Sequence, residues 1–176
     1  IQLSKSYMQI EPMVYLKTLA INSIAFILMG GLALVLQVFT NNKFVGYGLL
    51  LLVLGAQIAL GLMDFTHNLY TYSSAPNASY SDMNGYGHFL NAQFWFQAYW
   101  AVFLLILMLL ASAFWVRGVS PTWRERVTLA KHRLQGKAGV ALLVSMLVFI
   151  GMGSYIFYTT TILNHNLTPD QQLDMQ

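Results

Sequence analysis

The chain has 176 residues, of which 57% are hydrophobic, 14% aromatic and only 9% charged, with a net charge of +3 at neutral pH. Because a soluble domain carries roughly a quarter charged residues, these values exclude an ordinary water-soluble domain and predict a protein that faces lipid. Cysteine is absent, which excludes disulfides, zinc-thiolate sites and thiol catalysis within the chain.

Four long stretches without a charged residue predict four transmembrane helices. They cover residues 18–42, 44–63, 83–116 and 138–169, and each reaches the roughly 18 to 20 residues that cross about 30 Å of hydrocarbon. Four such spans use about half of the chain, so no room remains for a soluble catalytic domain of usual size. The predicted fold class is all-α, a polytopic membrane protein.

Residues 1–63 are predicted to form an N-terminal segment and the first helical hairpin. The first span runs from Val14 or Thr18 to Phe39, and the second runs from Val45 to Met63. Turn-forming residues 40–42 separate the two spans. So short a connection predicts that the two helices are antiparallel.

Residues 64–93 are predicted to be a loop on the outer side of the membrane, because the segment is polar and aromatic and contains no Lys or Arg. Its turn-forming residues are expected to build an ordered cap on the helix ends, from Tyr80, Asp82, Asn84, Gly85 and His88. Imidazole and carboxylate groups can bind a metal ion, and the candidates on this side are His67, His88, His165, Asp64 and Asp82. No spacing places two of them on one helical face, so no metal is predicted.

Residues 94–163 are predicted to hold the second pair of spans. The third span is Phe94 to Val116, in which Trp95 and Trp115 lie about 30 Å apart and match aromatic belts at two membrane interfaces. The fourth span is residues 138–158, and residues 164–176 look like a connector toward a missing C-terminal domain.

The loop 117–137 carries six of the nine basic residues. By the positive-inside rule it is cytoplasmic, which puts both ends of the chain on the outer side of the membrane. Thr122 and Glu125 have the spacing of a capping box, and a short amphipathic helix is predicted from Trp123 to Leu134. Its contact residues are Trp123, Arg124, Arg126, Val127, Lys131, Arg133 and Leu134.

Two interpretations of this helix stay open. It lies on the inner leaflet, attracted by anionic lipid, or it docks a cytoplasmic partner such as an ATPase. Nucleic acid is a poor explanation for the positive charge, because the basic residues are concentrated in this single loop.

The span interiors hold no charged residue and no histidine, which disfavours an ion path and haem ligation. Their polar residues are adequate for hydrogen bonds between helices. The pairs Gly55 with Ala59 and Ala141 with Ser145 have the spacing that lets helices approach closely.

Five stretches in succession resemble the late membrane region of large bacterial fusion proteins, in which a type-2 ABC exporter permease precedes a gluzincin zinc aminopeptidase of the membrane alanyl kind. They are YSDMNGYGHF at 80–89, FWFQAYWAVF at 94–103, WVRG at 115–118, WRERVTLAKHRL at 123–134 and GSYIFYTTTILN at 153–164. Where that family commonly reads Tyr-Asn-Thr-Asn, this sequence has Tyr158-Thr159-Thr160-Thr161, so no role of those asparagines carries over.

The resemblance implies a segment of a bacterial inner membrane protein that directly precedes a periplasmic peptidase domain. It makes the loop 64–93 a periplasmic loop and places both ends of the chain in the periplasm. The family's zinc ligands and its general base do not occur in this sequence. No catalytic residue and no cofactor is therefore expected in this segment. The partners expected are the lipid bilayer, other transmembrane helices and, by this resemblance, a cytoplasmic ATPase and a periplasmic peptidase domain.

Three hypotheses for function follow. The first is a permease-like segment that couples transport to the outer domain, and the second is a purely structural anchor or subunit of a larger membrane complex. The third is a small redox or quinone-associated subunit. None of them makes this segment itself an enzyme.

Overall fold

The computed structural model describes residues 12–63, 68–76, 89–115 and 122–163. Regular structure within these ranges is entirely helical, with no strand, which confirms the predicted all-α class. The helices are α1 (Pro12–Thr40), α2 (Lys43–Leu62), α3 (Phe89–Phe114), α4 (Trp123–Leu134) and α5 (Lys137–Phe157), and α5 continues into a π-helical turn, Tyr158–Leu163.

Helices α1, α2, α3 and α5 are each long and apolar enough to cross a membrane. The four predicted spans are therefore found, with several boundaries shifted by a few residues, since α1 begins at Pro12 and α2 at Lys43. Helix α3 begins at Phe89, before the predicted start at Phe94. The intervening residues include Gln93, which is polar but buried, so the helix extends beyond its purely apolar stretch and the predicted loop boundary at 93 was too late.

The turn between α1 and α2 is as short as predicted. Asn41 adopts a left-handed conformation with φ of 53°, which asparagine tolerates better than most residues. The side chain of Asn42 then begins α2, because its Oδ1 accepts the backbone N–H of Phe44 at 2.9 Å. The two helices pack against each other as an antiparallel hairpin.

The four long helices stand in a row, in the order α2, α1, α3, α5. Helix α1 packs on α2 and α3, helix α3 packs on α5, and α4 lies across the ends of α3 and α5. Within the described ranges, α2 contacts neither α3 nor α5, so the row does not close into a ring. The main core lies between α1 and α3 and includes Leu28, Leu32, Val35, Trp100 and Leu104.

Glycine sets the separation of the central helices at two places. A Cβ on Gly31 would lie 2.5 Å from the side chain of Leu104, and a Cβ on Gly46 would lie 3.0 Å from the backbone Cα of Gln37. The contact between α1 and α3 and that between α1 and α2 both depend on this missing atom. The predicted small residue Gly55 instead lies on the exposed side of α2, with nothing near it.

Candidate functional site

Two arginines of α4 bind the carboxyl ends of α1 and α3, and we call this arrangement the arginine joint. Arg126 Nη2 donates to the carbonyl oxygens of Val38 at 2.8 Å and Phe114 at 3.2 Å, while Nη1 donates to Phe39 at 3.2 Å. One guanidinium therefore connects the ends of two helices. Arg133 Nη1 donates to the carbonyls of Ala113, at 3.1 Å, and Trp115.

The chemistry of helix ends explains why arginine is placed there. The last carbonyls of an α-helix have no partner in their own helix and carry a partial negative charge. Neither α1 nor α3 has a basic residue in its last turn. Helix α4 supplies the missing cations from outside.

Aromatic rings enclose Arg126. The rings of Phe39 and Phe114 lie 5.3 Å apart, Phe114 stacks on Trp123 at 6.0 Å, and the guanidinium of Arg126 lies 5.4 Å from the centre of the Trp123 ring. Arg126 is only 7% exposed as a result. This burial strengthens its hydrogen bonds, because water does not compete for the carbonyls.

The sequence places seven residues of α4 at a membrane or partner surface, and the structure divides them. Arg126 is turned into the protein, and Arg133 contacts the end of α3. Trp123, Arg124, Val127 and Lys131 are exposed, and Leu134 is half-buried. Glu125 accepts the backbone N–H of Thr122 at 3.0 Å, which confirms its part of the predicted capping box.

At the opposite end of the row, residues 68–76 form a segment that inserts among the helices, and we call it the inserted segment. The hydroxyl of Tyr72 donates to the carbonyl of Leu28 at 2.9 Å. Ser73 Oγ donates to the carbonyl of Ala25 at 3.1 Å, with Ser73 held at φ of 65°. Leu28 lies about 24 Å along α1 from Pro12 at 1.5 Å per residue, so the segment reaches well into the row.

Helices α2 and α3 hold the inserted segment from its two sides. Gln57 of α2 donates to the carbonyl of Tyr72 at 3.5 Å, and Trp100 of α3 donates its indole N–H to the carbonyl of Ser74 at 3.1 Å. The Tyr72 ring packs edge-on against Trp100 at 5.2 Å. The inserted segment thus bridges α2 and α3, which do not touch each other directly.

Helix α1 accepts these bonds along one face. The carbonyl of Ile21 accepts Gln97 Nε2 at 3.1 Å, and the carbonyls of Ala25 and Leu28 accept the inserted segment. The three residues are spaced by four and three, which places them on one side of a helix. A carbonyl oxygen has two lone pairs, so each can accept a second bond without opening the helix.

The inserted segment is non-helical backbone that lies among apolar helices. Non-helical backbone at membrane depth is tolerated only where protein or a water-filled cavity surrounds it. The contacts of Tyr72, Ser73 and Ser74 satisfy that condition through protein.

The predicted polar contact between helices is confirmed for Gln97, which donates from α3 to the carbonyl of Ile21 in α1. Gln57 also reaches beyond its own helix, but its acceptor is the inserted segment. Ser23, Ser112 and Ser145 bond within their own helix instead, as Ser145 does with the carbonyl of Ala141 at 2.8 Å. The difference is side-chain length, because a serine hydroxyl is short enough to bond the carbonyl one turn back.

The predicted cap residues Tyr80, Asp82, Asn84, Gly85 and His88, and the metal-ligand candidates His67, His88, His165, Asp64 and Asp82, lie outside the described residues. No group of three metal-ligating side chains occurs within the described ranges. The cap and the metal-ligand candidates therefore stay predictions.

Sequence reasoning did not find the inserted segment or the inward position of Arg126. A signal for the inward position of Arg126 exists: Arg126, Ala130 and Arg133 are spaced by four and three on one face of α4, next to two helix ends that lack cations.

No protein-family profile matches the chain, and neither curated proteins nor solved structures give a significant match.

Proposed function

We propose that this chain is a permease-like membrane segment in which α4 couples a cytoplasmic partner to helices α1 and α3. The observation that carries the proposal is the arginine joint, in which Arg126 binds the ends of both helices at once. The resemblance to permease and aminopeptidase fusions supports the same function, with an ATPase as the partner and a periplasmic zinc peptidase as the domain that follows.

The arginine joint favours mechanical coupling because its bonds are costly to break. Hydrogen bonds to a charged group contribute about 1.5 to 3 kcal/mol each, and Arg126 makes three of them in a buried place. When α4 is displaced, the ends of α1 and α3 move with it, because staying in place would break the hydrogen bonds of Arg126. Movement at α4 is thereby passed to the two central helices of the row.

Helix α1 extends this coupling toward the other end. It is bonded to Arg126 near its carboxyl end, at Val38 and Phe39, and to the inserted segment at Ala25 and Leu28. A shift of α1 along its axis therefore changes the position of the inserted segment. In the proposed orientation the protein lies in a bacterial inner membrane. The arginine joint is on its cytoplasmic side, and the inserted segment enters the row of helices from the periplasmic side.

The partner surface proposed for α4 is its exposed side. Arg124 and Lys131 lie there together with Val127, which is 44% exposed. A mixture of cations and apolar groups suits an acidic protein surface. The lipid bilayer and additional transmembrane helices are the other proposed partners.

An anchor or structural subunit is the second candidate function, and the open row favours it. Apolar side chains on the two edge helices are widely exposed, for example Leu51 and Ile58 of α2 and Leu147 and Ile150 of α5. These edges suit lipid or neighbouring helices. In this alternative the arginine joint only holds the helices together, and no movement passes through it.

The two functions are separated by measuring the inserted segment while ATP is supplied at α4. The chain has no native cysteine, so Tyr70→Cys introduces the single thiol of this segment next to Tyr72. The rate of thiol modification is measured in nanodiscs that contain the full-length gene product and its copurifying ATPase, with ATP and without it.

Coupling predicts a modification rate that changes severalfold with ATP, and loss of that change in Arg126→Gln. Lys137→Gln is the matched control, because Lys137 is an exposed cation at the start of α5 that lies outside both the arginine joint and the proposed partner surface. A rate in the parent protein that is the same with and without ATP contradicts coupling and leaves the anchor. A response that persists in Arg126→Gln also contradicts it.

A further inference from the structure

A cavity of about 430 Å³ lies at the α4 end of the row. The turn between α1 and α2, the end of α3 and the helix α4 surround it. Its polar lining includes Gln37, Asn42, Lys43 and Arg126, and its apolar lining includes Leu34. The cavity therefore has polar and apolar walls at one place.

Arg126 has a positive charge that no described acidic group balances. It is 7% exposed, its hydrogen-bond acceptors are neutral carbonyls, and its Nε has no partner. The carboxylate of the same helix, Glu125, is exposed and bonds the backbone of Thr122. Buried charges in proteins are normally paired, so the cavity lacks a negative charge.

Lys43 adds a second cation to the same cavity. It is the first residue of α2, whose amino terminus carries the positive end of the helix dipole. The backbone N–H groups of Phe44 and Val45 at this helix start are bound by Asn42 Oδ1, so the cavity offers two side-chain cations. A guanidinium and an ammonium group are the side chains that proteins commonly use to bind phosphate. Their convergence on one cavity defines the chemistry of the missing anion.

The apolar wall points to the source of that phosphate. Leu34 is 59% exposed on the side of α1, and Trp115 is 56% exposed at the end of α3. Both line the cavity. Tryptophan is typical of the membrane interface, and an exposed apolar helix side adjoining a cationic cavity suits a headgroup that continues into acyl chains.

We propose that this cavity binds the phosphate group of an anionic phospholipid, with Arg126 and Lys43 as its cations and the acyl chains along α1 beside Leu34. Basic pockets between transmembrane helices on the cytoplasmic side are known to hold such headgroups. The bound lipid supplies the counter-charge of Arg126 and so stabilises the arginine joint. The proposal does not require that α4 transmits movement.

Native mass spectrometry of the full-length gene product tests the proposal. The protein is held in detergent micelles with equal amounts of phosphatidylglycerol and phosphatidylethanolamine. We expect phosphatidylglycerol to be retained preferentially, and Lys43→Gln to lower its occupancy about fivefold, the effect of losing one cation near anionic lipid. Lys43 is exposed at a helix start, where removing a cation does not weaken the helix, so this variant folds.

Lys131→Gln is the matched control, because it removes the same charge from an exposed position of α4 that does not line this cavity. An equal loss of phosphatidylglycerol in both variants means general attraction to the basic surface and overturns the proposal. A second arm adds inorganic phosphate to protein in phosphatidylethanolamine micelles and measures the Tm. If phosphate alone raises the Tm as much as phosphatidylglycerol does, the anion comes from solution, and the lipid assignment is wrong.

Discussion

The hydroxyl of Tyr72 donates a hydrogen bond to the carbonyl oxygen of Leu28, 2.9 Å away and 44 residues earlier in the chain. This bond joins a non-helical segment to the middle of a long apolar helix. Its acceptor is a carbonyl that already serves the helix, and its donor is a phenol whose ring is packed against Trp100 and Phe103. One side chain therefore combines polar and apolar attachment.

Replacing Tyr72 with Phe measures the polar part of that attachment. The ring contacts remain and only the hydroxyl is lost, so we expect the free energy of unfolding to fall by about 1 kcal/mol. In a chain of this size the apparent Tm falls by about 2 to 4 °C per kcal/mol, measured in detergent by thermal unfolding. Tyr47→Phe, on the exposed side of α2, is expected to change nothing. Equal Tm values for the two variants would contradict the attachment of Tyr72.

Replacing Gly46 with Ala tests the close contact between α1 and α2. The new Cβ would lie 3.0 Å from the backbone of Gln37, and overpacking of this kind costs about 1 to 3 kcal/mol. Gly48→Ala is the control, since nothing lies within 4 Å of its Cβ position. Alanine is the better helix former, so the control is expected to keep or slightly raise the Tm. A stabilised Gly46→Ala variant would mean that the helices are farther apart.

Replacing Gly139 with Ala tests the junction between α4 and α5. A Cβ at this position would lie 1.7 Å from the carbonyl oxygen of Leu134, an overlap with backbone that no rotamer can relieve. We expect a loss of at least about 3 kcal/mol, the top of the overpacking range, seen as low yield of folded protein in size-exclusion chromatography. Gly136→Ala has open space around it and changes only the N-cap of α5, so it is expected to keep the parent's yield and to lose less stability than Gly139→Ala. Normal yield of both variants would refute this geometry.

Replacing Arg126 with Gln is expected to destabilise the protein by on the order of 2 kcal/mol, because three hydrogen bonds to a charged group are lost while the cost of burying that charge is also removed. Arg124→Gln removes the same charge from an exposed position and should leave the Tm unchanged. The Tm values of the two variants are compared by thermal unfolding in the same detergent. Equal stability would show that the arginine joint contributes nothing.

The proposed orientation is tested with two introduced cysteines at exposed positions on opposite ends of the row. Met63→Cys lies at the end of α2, and Gln135→Cys lies just after α4. The positive-inside rule predicts that an impermeant maleimide labels the first in intact spheroplasts and the second only after permeabilisation. The reverse pattern would invert the topology.

The helices could be predicted from the sequence because the signals for them are local. Apolar length defines the four spans, residues 40–42 form the predicted turn, and Glu125 bonds the start of α4. Each of these signals depends on residues close together in the chain. The early start of α3 was missed because buried Gln93 has the polarity of a loop residue.

The candidate site could not be predicted in the same way. Arg126, Gln97 and Tyr72 all donate to main-chain carbonyls, and every residue has such a carbonyl, so the sequence does not mark which one is the acceptor. The order of the helices in the row could not be predicted either, because helix surfaces that face lipid and those that face protein are both apolar.

The row of four helices has a geometric consequence for any passage of solute. Helices standing in a single file have two broad flanks and surround no lumen within the described residues. A conduit across the bilayer would need a facing wall, supplied by another polypeptide or by a second copy.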